Sequence, residues 1–314
     1  MNEKISIILP TRQRPHNIDR LWKSLMDTVD DPDNIEMCLY IDNDDNLTID
    51  HMKNKYDNNQ KIKYMIGERI VLSKMWNEAY KLATGNIIML CGDDVIFRTK
   101  NWDTIIRNEF NKYIDKILLV FGDDGFQHEK MAILPFVHRK WIEISGFFIP
   151  PYFVSDYCDT WLNDVSIRIN RRVYIPKIYT EHMHFVCGKA KIDQNTRDRQ
   201  IRHRQKNPEH LYKTLINERI EQAQKLLDYI NKMKEKEIIC SNCDNDFTFY
   251  PYMDSNDGDV IHINGTIDEL KKECIKKKGV GFNTNGWIKC KLKPKSQWTK
   301  WSDNKNNGLY VLNK

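Results

Sequence analysis

The chain has 314 residues, of which 40% are hydrophobic and 11% aromatic, enough to build a buried core and too many for a disordered chain. Its 49 Lys and Arg against 44 Asp and Glu leave a formal charge of +5, which gives no ground for nucleic-acid binding and suits an anionic small-molecule substrate. The opening apolar run is five residues long and no later segment reaches about 18, so neither a signal peptide nor a membrane span is expected.

A cytoplasmic protein is therefore expected, and the sequons at Asn46 and Asn264 read as chance matches. In chain order, "KISIILP" (4–10) has a strand pattern ending in Pro10. "NIDRLWKSLMDTV" (17–29) carries apolar residues at helical spacing. "IEMCLYID" (35–42) is a second strand, and after an asparagine-rich loop "KIKYMIG" (61–67) is a third. "VLSKMWNEAYKLATG" (71–85) predicts a helix closed by Gly85 as C-cap, and "NIIMLCGDD" (86–94) a fourth strand. Strands alternating with helices predict a doubly wound, mostly parallel sheet. Such sheets bind ligands beyond the carboxyl ends of their strands, where Pro10, Thr11, Asp42, Asp93 and Asp94 all fall.

Residues 102–178 are less regular and include the strand "KILLVFG" (116–122); "RVYIPKIYTEHMHF" (172–185) reads as a closing strand. A long polar helix is predicted from 207 to 237, starting near Pro208. The composition then shifts to Cys, Gly, Asn and Trp, which places a boundary near residue 238. The organisation expected is 1–200, a connecting helix over 201–237, and a small α+β domain over 238–314.

The chemistry centres on "LCGDDVIF" (90–97), where an apolar strand runs into two adjacent carboxylates. Buried carboxylates need a partner or a cation. Asp93 and Asp94 can reach one site only where the strand gives way at Gly92, and hard oxygen ligands suit Mg²⁺ or Mn²⁺. Capped-turn and solvated roles remain open for the pair. In "EHMHF" (181–185), His182 and His184 face one side of a strand and offer imidazole ligands, or are surface histidines. Asp156, Asp159 and Asp164 surround Trp161 and supply candidates for a general base. Asp159 is placed at or near a helix N-cap, with Asp156 its main rival and Trp161 beside it as a stacking wall. Arg12, Arg14, Arg69 and Lys74 lie near strand ends, where they could hold a diphosphate.

Taken in order, "ISIILPTRQRP", "YIDNDD", "SKMWNEAYKLATGNIIMLCGDDV", "CDTW" and "EHMH…GKAKID" resemble glycosyltransferases of the GT-A fold over residues 4–195. They are most similar to the family 2 type of bacteria, phages and large DNA viruses. The resemblance implies a nucleotide-sugar donor, UDP-linked, and an inverting transfer to a glycan or glycoprotein hydroxyl. It places Asp42 on the base, Asp93 on the ribose and Asp94 on Mn²⁺ or Mg²⁺, with Asp159 as base. His184, rather than His182, is expected to complete the metal site. Two departures stand out: Cys91 replaces the first carboxylate of the usual DxD, and the acidic pair before the acceptor helix is reduced to "CDTW". If virus-encoded, the protein would work in a host cytoplasm.

"GTIDELKKECIKKKGVGFNTNGWIKCKL" (265–292) resembles a PAN/apple module, which binds protein or carbohydrate and implies a Cys274–Cys290 disulfide. Zinc at Cys240-x-x-Cys243 is a competing reading, as is a small capping or homo-oligomerisation domain. Exposed Trp287, Trp298 and Trp301 would favour a sugar platform. Two other functions compete with transfer. A sugar-nucleotide nucleotidyltransferase would carry a glycine-rich phosphate loop, which "LPTRQRP" lacks. A non-catalytic carbohydrate-binding protein would show no donor turnover.

Overall fold

The computed structural model describes residues 2–154, 156–245 and 247–313, with the backbone alone for 236–245. The chain divides into two compact units, 1–230 and 231–314. The division falls inside a long helix, short of the expected boundary near 238.

The first unit is built on an eight-stranded sheet of β1 (Ile5–Thr11), β2 (Ile35–Asp42), β3 (Ile62–Gly67), β4 (Ile87–Leu90), β5 (Val95–Phe97), β6 (Leu119–Asp123), β7 (Phe136–His138) and β8 (Arg172–His182). Their order across the sheet is β3-β2-β1-β4-β7-β6-β8-β5. The first four are parallel, as is the β6–β8 pair, while β7 and β5 run antiparallel to their neighbours. β1 and β2 are buried along their whole length. That follows from continuous apolar runs sandwiched between helical layers.

One face is covered by α1 (Pro15–Thr28), α2 (Asn46–Tyr56) and α4 (Trp102–Asn111), and the other by α3 (Leu72–Tyr80), α5 (Arg139–Ser145), α6 (Cys158–Arg168) and the first half of α9 (Ile216–Asn245). Trp102 anchors the first face and Trp141 and Trp161 the second, all fully buried. Trp161 is therefore core, its Nε1 donating to Gln222 Oε1 at 2.6 Å, and forms no acceptor wall. The asparagine-rich stretch expected as a loop contains α2, whose start is capped by Asp45 accepting from Thr48 N at 3.1 Å. Nor does Gly85 cap α3, which ends at Tyr80. Gly85 is needed for close packing, since a Cβ there would stand 2.6 Å from the Lys4 carbonyl. The predicted single helix over 207–237 is instead α8 (Pro208–Thr214) and α9, preceded by α7 (Gln194–Lys206).

In the second unit, β9 (Phe247–Pro251), β11 (Asp259–His262), β12 (Gly281–Asn283), β13 (Trp287–Lys289) and β15 (Gly308–Leu312) form a five-stranded antiparallel sheet. A two-stranded ribbon, β10 (Met253–Asp254) with β14 (Thr299–Lys300), forms a second, separately paired sheet. Helix α10 (Ile267–Lys276) opens with a Thr266/Glu269 capping box and buries Leu270 and Cys274 with Phe282 and Ile288. The disulfide implied for Cys274 and Cys290 is not formed. Cys290 is a free, exposed thiol, and the buried Cys274 thiol bonds to Gly281 O at 3.5 Å. The side chains of Cys240 and Cys243 lie outside the described residues. Trp287 is exposed, whereas Trp298 and Trp301 are half-buried and donate to the Lys293 and Met253 carbonyls.

Candidate active site

The carboxyl ends of β1, β2 and β4 open onto a cleft of about 700 Å³. Pro10, Thr11, Arg12, Arg14, Asp42, Arg69, Asp93, Asp94, Asp156, Asp159, His182 and His184 all line it. Two candidates do not. Lys74 is exposed on the outer side of α3 in a shallow adjoining groove, because its position in the helix points it away from Met75 and Ala79, which enter the core. Asp164 instead pairs with Arg168 and Arg219 at 2.9 and 2.6 Å, behind the cleft wall.

Local geometry explains how the two central carboxylates are presented. A Cβ at Gly92 would stand 2.8 Å from Asp94 Oδ1, so glycine lets that carboxylate fold back over the turn. Beyond the turn, β5 pairs with β8 so that Val95 faces His182, and Met183 N donates to the Asp94 carbonyl at 2.7 Å. Strand pairing thus delivers Asp94 to the histidines.

The two carboxylates have opposite surroundings. Asp93 is buried and accepts from Thr11 Oγ1 at 2.9 Å, Arg14 Nη1 at 3.2 Å and Asn17 Nδ2 at 3.3 Å. Burial still raises its pKa, opposed by Arg14 and reinforced by Asp94. Asp94 has His182 Nε2 at 3.4 Å from Oδ1. Burial alone would raise its pKa too, but the hydrogen bond and charge of His182, with Arg14 and His184, hold it at about 2. His182 is pushed up by Asp94 against the effect of its own burial, whereas burial and the neighbouring His182 hold His184 at about 4. The imidazole nearer the carboxylate is that of His182. His184 Nδ1 accepts the Val186 N–H at 3.4 Å and its ring lies 5.1 Å from that of His182.

Asp42 is 2% exposed and accepts from Arg12 Nη1 at 3.0 Å through Oδ2; its Oδ1 is buried with no partner among the described residues. Asp159 lies in the first turn of α6, one residue beyond the helix start, and Tyr157 in left-handed conformation (φ 75) holds the cap position. Asp159 thus stands near the N-cap, in the first turn, while Tyr157 holds the cap position itself. Asp159 Oδ1 accepts from Thr160 N at 2.8 Å. Burial raises its pKa, opposed by the Thr160 N–H and assisted by Asp156. Asp156 is tied to His203 Nδ1 at 2.5 Å and to Arg199 Nη1 at 3.5 Å.

Helix α7 supplies residues that sequence reasoning missed: Asp193 at its N-cap, then Asn195, Thr196, Arg199 and Arg202. It is drawn to the cleft by Arg14–Asp193 at 2.7 Å, Asn195 Nδ2 to the Arg12 carbonyl at 2.6 Å, and Arg69–Asp198 at 2.9 Å. These links span more than a hundred residues of sequence, and only the charges of "DQNTRDRQIRHRQ" hinted at them. Trp76, whose Nε1 donates to the Cys91 carbonyl at 3.0 Å, also lines the cleft.

Residues 6–172, just over half of the chain, match glycosyl transferase family 2. The chain belongs to that family. This family 2 glycosyltransferase has the GT-A fold. Among solved structures it is similar to the mannosyltransferase PcManGT from Pyrobaculum calidifontis, solved with GDP-Man and Mn²⁺. That likeness has a TM-score of 0.50 and 14% identity and covers 74% of each chain. It is also similar to TarS of S. aureus, solved with UDP (TM-score 0.43, 17% identity, 56% of this chain and 60% of that one). A UDP-GlcNAc complex of TarS gives 0.43 and 16%, over 60% and 62%. No curated protein matches the sequence. No helix among the described residues is long and apolar enough to cross a membrane.

Among the described residues no three His, Cys, Asp or Glu side chains close around one point as a metal cage would. The glycosyltransferase does place one ionised carboxylate against one imidazole, with a second imidazole beside it. That donor set fits a Mn²⁺ or Mg²⁺ ion whose other ligands are waters and phosphate oxygens.

Proposed function

We propose that this glycosyltransferase moves a sugar from a nucleoside-diphosphate donor, a UDP-sugar first of all, to a hydroxyl of a glycan or glycoprotein, inverting the anomeric centre. The observation that carries this reading is the convergence of three differently prepared carboxylates, Asp42, Asp94 and Asp159, on one cleft. Asp42 Oδ1 accepts an N–H of the base, the partner it lacks among the described residues. Asp93, already fixed by Thr11, Arg14 and Asn17, offers its remaining lone pairs to the ribose. Asp94 with His182 and His184 would hold Mn²⁺ or Mg²⁺, which when bound supplies positive charge against the departing diphosphate.

Asp159 is the general base. It lines the cleft, and its Oδ1 accepts from Thr160 N at 2.8 Å. Burial keeps its proton affinity above that of an ordinary aspartate, which suits a group that must take a proton from an attacking hydroxyl. Asp156 is occupied by His203 and Arg199 and serves α7 instead. The transition state resembles the oxocarbenium ion of glycoside hydrolysis, and a single displacement needs no enzyme nucleophile.

For the smaller unit we propose a PAN/apple-like role in binding a glycan or protein acceptor. The exposed Trp287, stacked edge-on against His262 at 4.9 Å, supports it. Calorimetry with UDP in Mn²⁺ and in EDTA, followed by donor turnover with a panel of nucleotide sugars, tests the main reading. Equal UDP affinity in both conditions would remove the metal from the proposal, and no turnover of any sugar nucleotide would remove the donor.

A further inference from the structure

The turn after β6, "GDDG" (122–125), holds a carboxylate not yet accounted for. Asp124 is 3% exposed. Its Oδ1 accepts the backbone N–H groups of Phe126, Gln127 and His128 at 2.9, 2.8 and 3.0 Å. Its Oδ2 is buried and has no hydrogen-bond partner among the described residues. The Asp124 carbonyl accepts the His182 N–H at 3.1 Å, so this turn is joined to the strand that carries the imidazole.

The imidazole presents the complementary defect. With His182 Nε2 set against Asp94 at 3.4 Å, Nδ1 is buried and also lacks a partner. A buried acceptor without a donor costs about 1–3 kcal/mol, and here an open acceptor and an open ring nitrogen belong to residues joined backbone to backbone. No direct bond joins the two side chains. A buried water with two or more polar partners is the ordinary bridge for such a pair.

We propose that Asp124 is a positioning residue for His182: through a bridging water it makes Nδ1 the N–H donor and leaves the Nε2 lone pair free for the cation that Asp94 would share. The proposal rests on the metal reading above. It follows the general pattern in which a ligating histidine donates its second ring N–H to an outer carboxylate, fixing tautomer and ring orientation. A carboxylate that merely capped the 126–128 turn would need Oδ1 alone and would leave the tautomer unmoved.

Asp124→Asn separates the two roles, because the amide oxygen can keep the turn while the NH₂ group cannot accept from Nδ1–H. Mn²⁺ affinity in the presence of UDP, read by the electron paramagnetic resonance of free Mn²⁺, should fall about 10- to 100-fold with the melting temperature unchanged. In a His182→Ala background the same substitution should add no further loss. Should the variant fail to fold, long-range ¹H–¹⁵N spectra of the wild-type protein with Mg²⁺ and UDP decide the matter: His182 protonated at Nδ1 supports the proposal, and protonation at Nε2 overturns it. Unchanged Mn²⁺ affinity in Asp124→Asn overturns Asp124 alone. A wild-type protein that binds no Mn²⁺ with UDP overturns the metal reading and this inference together.

Discussion

Strand β2 carries two buried carboxylates six residues apart, and their surroundings differ in kind. Glu36, at its amino end, accepts from Ser6 Oγ at 2.6 Å, Lys63 Nζ at 2.8 Å, Thr84 N at 2.6 Å, Thr84 Oγ1 at 2.9 Å and Gly85 N at 3.2 Å. Asp42, at the carboxyl end, has Arg12 on one oxygen and, among the described residues, nothing on the other. Both are 2% exposed and burial raises both, but the donors around Glu36 bring it down to about 2 while Asp42 stays above the ordinary aspartate range. A carboxylate that serves the fold is saturated by the fold. One left open where the sheet meets the cleft is held ready for something that arrives.

The largest effect should come from breaking the open set at its most ionised member. Asp94→Asn keeps the shape but removes the charge that faces His182, so transfer should fall on the order of 10²–10³ and UDP binding should become the same in Mn²⁺ and EDTA. Transfer within threefold of wild type would show that Asp94 is a structural group like Glu36. Asp159→Asn comes next. A lost general base costs on the order of 10² or more in turnover, with UDP affinity unchanged. Because burial and Asp156 raise the Asp159 pKa, wild-type turnover should rise with pH through a value above the ordinary aspartate range. That acid limb should be absent from the variant. If Asp156→Asn instead abolishes transfer while Asp159→Asn retains it, the base is Asp156.

The saturated carboxylate should behave in the opposite way. Glu36→Gln should lower stability by on the order of 2 kcal/mol in denaturant unfolding and leave turnover of the folded enzyme unchanged. The pH dependence has a definite sign. Since the folded pKa lies below its ordinary value of 4.5, at about 2, the Glu36 contribution is complete above pH 4.5 and is lost as pH falls from 4.5 towards 2. The variant should show a flatter stability profile in that window. A stable Glu36→Gln protein with impaired turnover would erase the distinction drawn on β2.

The sequence carried the sheet's parallel half openly, because strands buried on both faces read as unbroken apolar runs such as "ISIIL" and "EMCLYI". Asp42, Asp93, Asp94 and the His182/His184 pair were legible for the same reason: polar groups stand out at the ends of apolar runs. What stayed hidden depends on contacts distant in sequence. Helix α2 lies in asparagine-rich sequence with little apolar periodicity. The charged α7 is drawn to the cleft by partners more than a hundred residues away, including Arg14 and Arg69. Asp124 has the sequence of an ordinary turn, and its open oxygen exists only because folding buries it. Trp161 shows the converse: an aromatic beside acidic residues suggested a sugar platform, but its position on the inner face of α6 makes it core.

The smallest expected effect is the one that tests the open oxygen of β2 most directly. Asp42→Asn preserves size and an oxygen for Arg12, so stability should change by no more than about 1 kcal/mol, since the oxygen it replaces has no partner among the described residues to lose. The loss should appear in binding. A carboxylate oxygen accepts the N3–H of uracil, whereas an amide NH₂ turned to that position meets it donor to donor. UDP affinity should therefore fall by about tenfold, the equivalent of about 1.4 kcal/mol. Cytosine presents an acceptor at the same ring position, so the variant should discriminate less between UDP and CDP than the wild type, or prefer CDP. Calorimetry with the two nucleotides measures the ratio directly. An Asn variant that binds UDP as tightly as wild type would mean that Asp42 does not meet the base and that its open oxygen serves another group in the cleft.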